Sequence, residues 1–321
     1  RTRKSSFSAP MVLCLKTWKS RTLPGFSMKN LIVITGGAGF VGSNLIELFL
    51  KKTNFKIISI DNYSSGSIKN HFRSSKVSYI NGDTSKVSVL LKKHKKKIHS
   101  LFHFGEFSRI YQSFKNFNQC YESNTIGSME VFKFCLDNKI KLIYSATSAT
   151  LGKKGNDKNL SPYAFTKSNN LLLLENLKNW FNLNFEIIYF YNVYGKRQIE
   201  TGEMATVVGV FQNQYKRGKP LTVVKPGSQT RRFTHISDTI LVCYKAWKAN
   251  KCRHYSISHK KSYSVLEVAK FFKSKICYLP ERRGERFASA LTNISNNNKI
   301  IKNYGKINLK DYISSFIKSE K

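Results

Sequence analysis

The sequence predicts a doubly wound α/β fold, in which helices cover both faces of a parallel sheet, with a smaller mixed α/β lobe toward the C-terminus. Short apolar runs alternate with amphipathic stretches between residues 28 and 190, and such alternation is typical of βαβ crossovers. After residue 190 the alternation weakens, and Gly, Pro and basic residues become frequent. We therefore divide the chain into a leader (1–27), a sheet-and-helix domain (28–190) and a C-terminal lobe (191–321) that is interleaved with the sheet.

The composition limits what kind of protein the chain can be. With 321 residues, 41% of them hydrophobic, it can bury a large core. It has no run of about eighteen uncharged apolar residues, which a membrane-spanning helix needs, so we expect no membrane association. The six cysteines lack the paired spacing of a disulfide framework or a zinc site. The sequence therefore favours a cytoplasmic protein without a metal.

The formal net charge of +37 is extreme, and it raises the question of a nucleic-acid or anionic-membrane partner. Lysine greatly outnumbers arginine, however, and the lysines are spread over the whole chain. Even the densest run, Lys92–Lys97, falls where a helix end and a connecting loop are predicted. We interpret the charge as a solvated surface that can attract an anionic substrate. A non-catalytic nucleic-acid-binding module is the second hypothesis.

Residues 1–27 differ from the rest of the chain. They contain six basic residues and no acidic ones, and they precede Met28, where the first strand pattern begins. This composition is compatible with a transit peptide, with translated upstream sequence or with a cloning remnant. We exclude this leader from the predicted fold.

Strand and helix patterns follow one another in a regular order from Met28 onward. The predicted strands are Leu31–Thr35, Lys56–Ile60, Val77–Ile80, Leu101–Phe104, Leu142–Ser145 and Phe185–Phe190. One predicted helix follows the first strand and runs through Lys51, and two others cover Met129–Asn138 and Pro162–Phe181. Right-handed crossovers would place these strands side by side in one parallel sheet.

A glycine-rich turn joins the first predicted strand to the first helix. Its sequence, Thr35–Gly42, has the spacing with which a Rossmann-type fold binds a dinucleotide. Glycines let the backbone approach a pyrophosphate, and the helix N-terminus supplies free N–H groups. An incidental tight turn is the alternative, but the position between strand and helix favours a phosphate site. The candidate cofactor contacts are Gly36, Gly39, Phe40, Val41 and Gly42.

Acidic residues follow the next two strands. Asp61 lies at the distance from the glycine turn where a carboxylate accepts hydrogen bonds from a ribose 2′-hydroxyl and repels a 2′-phosphate. This position favours NAD over NADP as the cofactor. Asp83, after the third strand, is placed to meet the adenine edge. We take Asp61, Asn62 and Asp83 as candidate cofactor contacts, and simple turn formation is the alternative for each.

A Tyr-x-x-x-Lys pattern places a phenol and an ammonium group on one helix face, where the cation can lower the tyrosine pKa and make the phenol a base. The chain has four such pairs, so context must choose among them. Only Tyr163 and Lys167 follow a predicted helix start shortly after a strand that ends in hydroxyl residues, 144–150. Because the carboxyl ends of parallel strands face the cofactor, one of these hydroxyls and Tyr163 can converge on a substrate oxygen.

Together, these segments resemble an extended short-chain dehydrogenase/reductase of the NAD-dependent nucleotide-sugar epimerase/dehydratase group, which includes UDP-glucose 4-epimerases. The matching segments, in the family's order, are Thr35–Gly42, Asp61–Tyr63, Asn81–Asp83, His103–Gly105, Tyr121–Asn124, Ser145–Thr150, Tyr163–Lys167 and Tyr191–Gly195. The resemblance implies that the catalytic hydroxyl belongs to Thr147, with Ser148 as the alternative. It also implies that Asn124 lies against the cofactor and that Asn192 faces the substrate diphosphate.

The same resemblance implies arginine contacts to the diphosphate of a nucleotide sugar, because a planar guanidinium matches phosphate geometry. Segments 227–236 and 280–285 are similar to motifs of the family's substrate lobe, and within them Arg231 and Arg282 match the functional positions. In a chain this basic, ordinary solvated surface is the alternative for each arginine. The resemblance further implies a homodimer, for which the two helices predicted at 129–138 and 162–181 could supply the interface.

The segment after the catalytic hydroxyl indicates the reaction. Dehydratases and decarboxylases of the group usually carry acidic residues there, whereas Thr147 is followed by Ser-Ala-Thr. We therefore expect C4 epimerisation through a 4-keto intermediate, with 4,6-dehydration or uronate decarboxylation as alternatives and a non-catalytic NAD-binding module as a distant one. Two loops depart from the family pattern, 152–160 and Gly105–Arg109. Both should border the sugar, so they leave the identity of the sugar open.

Overall fold

The computed structural model describes residues 29–151, 157–281 and 300–320. These residues form three β-sheets and the helices that cover them. The strands are β1 (Leu31–Thr35), β2 (Lys56–Asp61), β3 (Val77–Asn81), β4 (Ile98–His103), β5 (Lys141–Thr147), β6 (Phe185–Phe190), β7 (Asn192–Tyr194), β8 (Leu221–Val224), β9 (Thr230–His235), β10 (His254–Ser258), β11 (Ser262–Ser264), β12 (Ile276–Leu279) and β13 (Ile300–Tyr304). The α-helices are α1 (Phe40–Lys52), α2 (Val87–Leu90), α3 (Gln112–Lys115), α4 (Phe117–Tyr121), α5 (Ser128–Asp137), α6 (Pro162–Phe181), α7 (Val207–Lys216), α8 (Ile236–Ala249), α9 (Val265–Phe271) and α10 (Leu309–Ser319).

The large sheet has eight strands in the order β13-β10-β6-β5-β4-β1-β2-β3. Every neighbouring pair in it is parallel. From β1 the chain moves outward to β2 and β3, and it then crosses back to the other side of β1 as β4. The connections therefore diverge between β1 and β4, and in such sheets ligands bind in the crevice at the carboxyl ends of the diverging strands. This topology confirms the predicted doubly wound fold.

Continuous apolar runs make these strands the interior layer. All five residues of β1 are buried, as expected for a parallel strand that is covered on both faces. Helices α1 and α8 pack on one face of the sheet, and α5 and α6 pack on the other. The sequence pattern predicted β1, β6 and α6 with the observed bounds, whereas β4 begins three residues earlier than predicted.

The start of α6 is fixed by local chemistry. The Ala164 N–H donates to the Ser161 side chain at 3.1 Å, and Pro162 occupies the first turn, where its missing N–H costs nothing. At the other end, Asn182 adopts a left-handed conformation that closes the helix. These two ends place Tyr163 in the first turn of α6, at the carboxyl edge of the sheet.

The chain beyond residue 190 contributes to two layers. Strands β10 and β13 extend the large sheet, while β7, β9 and β11 form a three-stranded mixed sheet, and β8 pairs with β12. A separate apolar core joins α7, α9 and α10 to these small sheets. The chain after residue 190 therefore completes one edge of the large sheet and adds two small sheets with their own apolar core.

The basic run Lys92–Lys97 lies between α2 and β4, as exposed turns and a short 3₁₀ segment. It is not part of a helix face. Across the described ranges, every helix is too short or too polar to cross a membrane.

The packing of α1 on the sheet gives a first prediction. Phe49 is fully buried, and its ring lies 5.4 Å from Phe102 and 5.0 Å from Trp247, centroid to centroid. Phe49→Ala should lower the free energy of unfolding by about 3–5 kcal/mol, because the site loses both apolar burial and ring contacts. Denaturant unfolding measures this loss. The exposed control Val89→Ala should stay within about 0.5 kcal/mol of the unmodified chain, and equal losses in both variants would contradict the packing.

Candidate active site

A cavity of about 500 Å³ opens at the carboxyl ends of β1 and β4 and extends to the C-terminal lobe. This volume lies within the range of ligand sites in proteins. The structure brings most of the candidate residues from the sequence to its wall. They are Gly36, Gly39, Phe40, Val41, Gly42, Asp61, Asn62, Asp83, Thr147, Tyr163, Lys167, Asn192 and Arg231.

The glycine turn packs so tightly against neighbouring backbone that side chains would not fit at Gly36 and Gly42. Gly36 has a φ of +71°, and a Cβ there would lie 2.8 Å from the Phe104 carbonyl group. A Cβ on Gly42 would lie 2.2 Å from the Gly36 oxygen. Helix α1 starts after Gly39, and no side chain caps its N-terminus. The turn therefore leaves helix N–H groups open to the cavity, which suits the pyrophosphate of NAD.

Asp61 connects the end of β2 to the glycine turn. The N–H groups of Ala38 and Tyr63 donate to its two carboxylate oxygens, each at 2.9 Å. Burial raises the pKa of Asp61, whereas these backbone hydrogen bonds lower it. The Asn62 amide donates to Asp83 at 3.0 Å, so the three polar residues form one rim of the cavity. A carboxylate at this rim suits an unmodified ribose and opposes a 2′-phosphate.

Tyr163 and Thr147 meet in the wall of the cavity. Tyr163 lies in the first turn of α6, Thr147 is the last residue of β5, and their side chains are hydrogen-bonded. Burial raises the pKa of Tyr163 to about 12, while the hydrogen bond with Thr147 lowers it. Thr147 also accepts from the Ala149 N–H at 3.2 Å, which fixes its side chain. The hydroxyl of Thr147 therefore lies beside Tyr163, and Ser148 lines the same cavity.

Lys167 is engaged by a buried carboxylate. Its ammonium group forms an ion pair with Glu106 and donates to the Ser145 carbonyl at 2.5 Å. It also lies over the Tyr144 ring, 4.6 Å from the centroid. The sequence predicted that the Lys167 cation lies on the same helix face as Tyr163, where it can lower the tyrosine pKa. The structure gives this cation a carboxylate partner in the wall of the same cavity.

Glu106 is the hub of a polar network. Besides Lys167, three groups donate to its Oε1 atom: the Ser128 hydroxyl at 2.8 Å, the Tyr144 hydroxyl at 3.0 Å and the Asn170 amide at 3.2 Å. Because its side chain is only 2% exposed, these donors replace the water that an ionised carboxylate needs. Sequence reasoning assigned Glu106 no role. The one indication in the sequence was that Glu106 is an ionisable residue at a position where the family pattern has small residues.

His103 extends this network to the glycine turn. Its ring nitrogens lie 2.8 Å from the Thr35 hydroxyl and 3.0 Å from the Ser128 hydroxyl. Since Ser128 donates its proton to Glu106, we assign the donating N–H of the imidazole to Nε2, which leaves Nδ1 to accept from Thr35. Burial lowers the pKa of His103 to about 4, so the ring is neutral near pH 7.

Arg109 is a second charged residue of the same loop, the β4–α3 loop (residues 104–111). Its guanidinium donates to the carbonyl of Met204 and, at 2.9 Å, to that of Ser108. Its Nε atom is buried and has no hydrogen-bond partner among the residues described. Arg109 lines the cavity beside Tyr163, and no carboxylate in the described ranges forms an ion pair with it. The sequence marked this loop as unusual but did not identify Arg109.

The remaining candidates lie in different places. Asn124 is fully buried and binds both the N–H (2.7 Å) and the carbonyl (3.0 Å) of Phe107, so it fixes the β4–α3 loop from behind and does not line the cavity. Asn192 and Arg231 lie on the neighbouring strands β7 and β9 and face the cavity. Arg282 lies outside the described residues.

Comparison with known proteins identifies the family. Residues 32–258 match the profile of the NAD dependent epimerase/dehydratase family. The chain belongs to this family. NAD is therefore its cofactor, and the glycine turn and the Asp61 rim described above fit that cofactor.

Curated relatives of the chain are named for different nucleotide sugars. An ADP-L-glycero-D-manno-heptose-6-epimerase of Brachyspira hyodysenteriae is 28% identical over 258 residues, which cover 76% of this chain and 80% of that protein. A Bacillus subtilis protein described as an uncharacterized UDP-glucose epimerase is 27% identical over 228 residues, covering 65% and 70%. These likenesses support the family and leave the sugar open.

Solved structures share the whole fold. The UDP-glucose 4-epimerase of Thermotoga maritima, solved with UDP-glucose, superposes with a TM-score of 0.79 at 21% identity, covering 90% of this chain and 97% of that one. A UDP-glucuronic acid 4-epimerase of Bacillus cereus, solved with UDP-glucuronic acid and NAD, gives 0.76 at 24% identity, covering 90% and 99%. At these identities the likeness establishes the architecture, and the chemistry must come from the site.

The Asp61 rim gives a testable prediction about cofactor choice. Asp61→Asn removes the negative charge while keeping the shape of the side chain. The preference for NAD over NADP should fall by about tenfold or more, because a charged hydrogen bond to the ribose is lost and the repulsion of a 2′-phosphate disappears. Dissociation constants for both dinucleotides measure the ratio. The control Asp137→Asn, at an exposed site on α5, should change neither constant; an unchanged ratio in Asp61→Asn would refute the assignment.

Proposed function

We propose that the chain is a cytoplasmic, homodimeric, NAD-dependent epimerase that interconverts nucleotide sugars at C4, as UDP-glucose 4-epimerases do. The observation that carries the proposal is the hydrogen-bonded pair of Tyr163 and Thr147 in the wall of the cavity, next to a glycine turn suited to NAD. A phenol and a hydroxyl that converge in this way can share one substrate oxygen, and a base at that oxygen is what oxidation of a sugar alcohol requires.

Tyr163 and Thr147 have separate proposed roles in the reaction. Tyr163 accepts the proton of the sugar 4-hydroxyl, and Thr147 donates a hydrogen bond to the same oxygen as it becomes a carbonyl. NAD, held by the glycine turn and the Asp61 rim, would supply the acceptor and donor of the C4 hydride. After the keto sugar has turned over in the cavity, Tyr163 gives its proton back to the oxygen, now on the opposite face. No further acid or base is needed.

The carboxylates of the cavity support epimerisation over elimination or decarboxylation. Among the described residues of its wall, they are Asp61, Asp83 and Glu106. Asp61 and Asp83 lie at the rim formed by β2 and β3, away from Tyr163. Glu106 is held by four donors, including Lys167, so its oxygens are not available to a substrate. A dehydratase needs a group that abstracts or delivers a proton at a neighbouring carbon, and the described wall offers no unengaged carboxylate near Tyr163 for that task.

The C-terminal lobe is the proposed site of the nucleotide diphosphate. Asn192 and Arg231 lie on adjacent strands and both line the cavity. A guanidinium and an amide in this arrangement suit phosphate oxygens. We assign Arg282 to the same role on the basis of its motif.

The proposed dimer rests on an apolar surface of the helices on one face of the sheet. The exposed large apolar side chains on and between α4, α5 and α6 are Phe117, Tyr121, Ile126, Met129, Phe165, Leu172, Trp180 and Phe181. Exposed apolar groups of this extent favour burial against another chain. Because α5 and α6 pack side by side, a second copy of the same pair would complete a four-helix contact.

The function is tested by removing one hydroxyl. Tyr163→Phe should lower the rate of interconversion of UDP-glucose and UDP-galactose, or of their N-acetyl forms, by about a hundredfold to ten-thousandfold, because the base is lost. NAD binding should persist. Products separated by chromatography and mass measure the rate. Tyr215→Phe is the matched control and should retain full activity, because Tyr215, near the end of α7, belongs to another Tyr-x-x-x-Lys pattern of the chain.

Other outcomes would replace the proposal. Release of water or carbon dioxide from a nucleotide sugar would identify a dehydratase or a decarboxylase. If no nucleotide sugar reacts and the chain binds nucleic acid with a steep salt dependence, the binding-module hypothesis is correct.

The dimer gives a separate prediction. Leu172 is 64% exposed in the middle of α6, so Leu172→Glu should place a charge inside the proposed interface and convert the dimer to a monomer. Light scattering during size exclusion measures the mass. Val89→Glu, at a site 75% exposed on α2, should leave the dimer intact. A monomeric unmodified chain would contradict the proposed interface.

A further inference from the structure

We propose that Glu106 is a positioning residue of the reaction. Its carboxylate fixes the ammonium group of Lys167 in the cavity wall, so that one N–H of that ammonium stays free for a bound ligand. The inference rests on the proposed roles of Tyr163 and Lys167, and it gives a function to a residue at which this chain departs from the family pattern. Glu106 acts on the reaction through Lys167.

The two carboxylate oxygens of Glu106 have different partners. Oε1 accepts from the Ser128 hydroxyl at 2.8 Å, from the Tyr144 hydroxyl at 3.0 Å and from the Asn170 amide at 3.2 Å. Oε2 forms the ion pair with Lys167. Donors on α5, β5 and α6 therefore fix the orientation of the carboxylate, and the other oxygen is left for the ammonium.

The ammonium of Lys167 is held by several groups at once. Besides its ion pair with Glu106, it donates to the Ser145 carbonyl at 2.5 Å and lies over the Tyr144 ring, 4.6 Å from the centroid. An ammonium has three N–H groups, and the carboxylate and the carbonyl engage two of them. Because Lys167 lines the cavity, the third can donate to a cofactor bound there.

Glu106 also supports the charge of this lysine. The Lys167 side chain is only 3% exposed. Burial lowers its pKa, whereas the charge and the hydrogen bond of Glu106 raise it. A carboxylate at this place thus keeps the ammonium charged as well as in position, and both effects reach the cofactor and Tyr163 through Lys167.

A second buried ion pair of the same kind lies away from the cavity. Lys141, at the start of β5, is 3.4 Å from Glu186, and their side chains are 6% and 0% exposed. The Lys141 ammonium also donates to the carbonyls of Ala246 and Trp247. Neither member of this pair belongs to the described wall of the cavity. The pair serves the fold alone, so it provides a matched control.

The variant Glu106→Gln tests the positioning role. Three donors converge on Oε1, so the amide oxygen of the new side chain takes that place and its NH2 group faces the Lys167 ammonium. Two donors cannot bind each other, so the ammonium moves. Turnover at saturating NAD and sugar should fall by about tenfold or more, because small misplacements in a site are costly. The KM for the sugar should change by less than about threefold.

A double-mutant cycle shows whether Glu106 acts through Lys167. Glu106→Gln should raise the dissociation constant of NAD, measured without sugar, by about threefold or more, because a charged donor is displaced. In a Lys167→Met background the same change should cause no further loss of NAD affinity or turnover. Losses that multiply would overturn the inference. The comparison within the Lys167→Met background still decides the question if Glu106→Gln alone fails to fold.

Two further variants separate positioning from stability. Glu106→Asp keeps a carboxylate, so acceptors still face Lys167, and its turnover should exceed that of Glu106→Gln by about threefold or more. Glu186→Gln should lower the resistance to urea while turnover and NAD affinity stay within about twofold of the unmodified chain. Equal losses of turnover in Glu186→Gln and Glu106→Gln, or no recovery in Glu106→Asp, would show that Glu106 only stabilises the fold.

The NAD measurements keep this inference apart from the proposed reaction. A chain that releases water or carbon dioxide from a nucleotide sugar, with NAD affinity linked to Glu106 through Lys167, would defeat C4 epimerisation alone. An active epimerase in which Glu106→Gln changes neither turnover nor NAD affinity would defeat the positioning role alone.

Discussion

The buried carboxylate of Glu106 is the constraint on which the rest of the site depends. An ionised carboxylate out of contact with water must be surrounded by donors, and Glu106 obtains them from three elements: Ser128 on α5, Tyr144 on β5, and Lys167 with Asn170 on α6. These hydrogen bonds connect the β4–α3 loop to α6, the helix that carries Tyr163. Loss of any one donor would leave buried charge partly unmatched, which costs far more than a surface contact of the same kind.

The same network reaches the cofactor end of the cavity. Glu106 accepts from Ser128, Ser128 accepts from His103, and His103 accepts from Thr35 at the end of β1. Thr35 in turn accepts from the N–H groups of Phe104 and Gly105, at the start of the β4–α3 loop. A chain of hydrogen bonds therefore connects the end of β1, next to the glycine turn, with Lys167 on α6.

The sequence predicted the features that depend on local pattern. Leu31–Thr35 and Pro162–Phe181 were predicted with their observed bounds, because one is a continuous apolar run and the other starts at Ser161-Pro162. Strands β10 and β13 were not predicted, since both mix polar and apolar residues and are recognised only by their place in the sheet. Tyr163 was selected from four equivalent patterns by its neighbours. The role of Glu106 was not predicted, because its hydrogen-bond partners are 22 to 64 positions away along the chain and only the fold brings them together.

The balance of charge explains how so basic a chain keeps an intact site. Its 55 basic residues exceed 18 acidic ones, yet the acids include the buried groups that hold the structure together. Asp61 binds the N–H groups of the glycine turn, Glu106 pairs with Lys167, and Glu186, fully buried, accepts from the backbone at 251 and 253 beside Lys141. Each of these contacts is shielded from solvent, so added surface lysines act on them weakly. The surplus positive charge can therefore accumulate on the surface while the interior stays close to neutral, and the field at Tyr163 is set within the cavity.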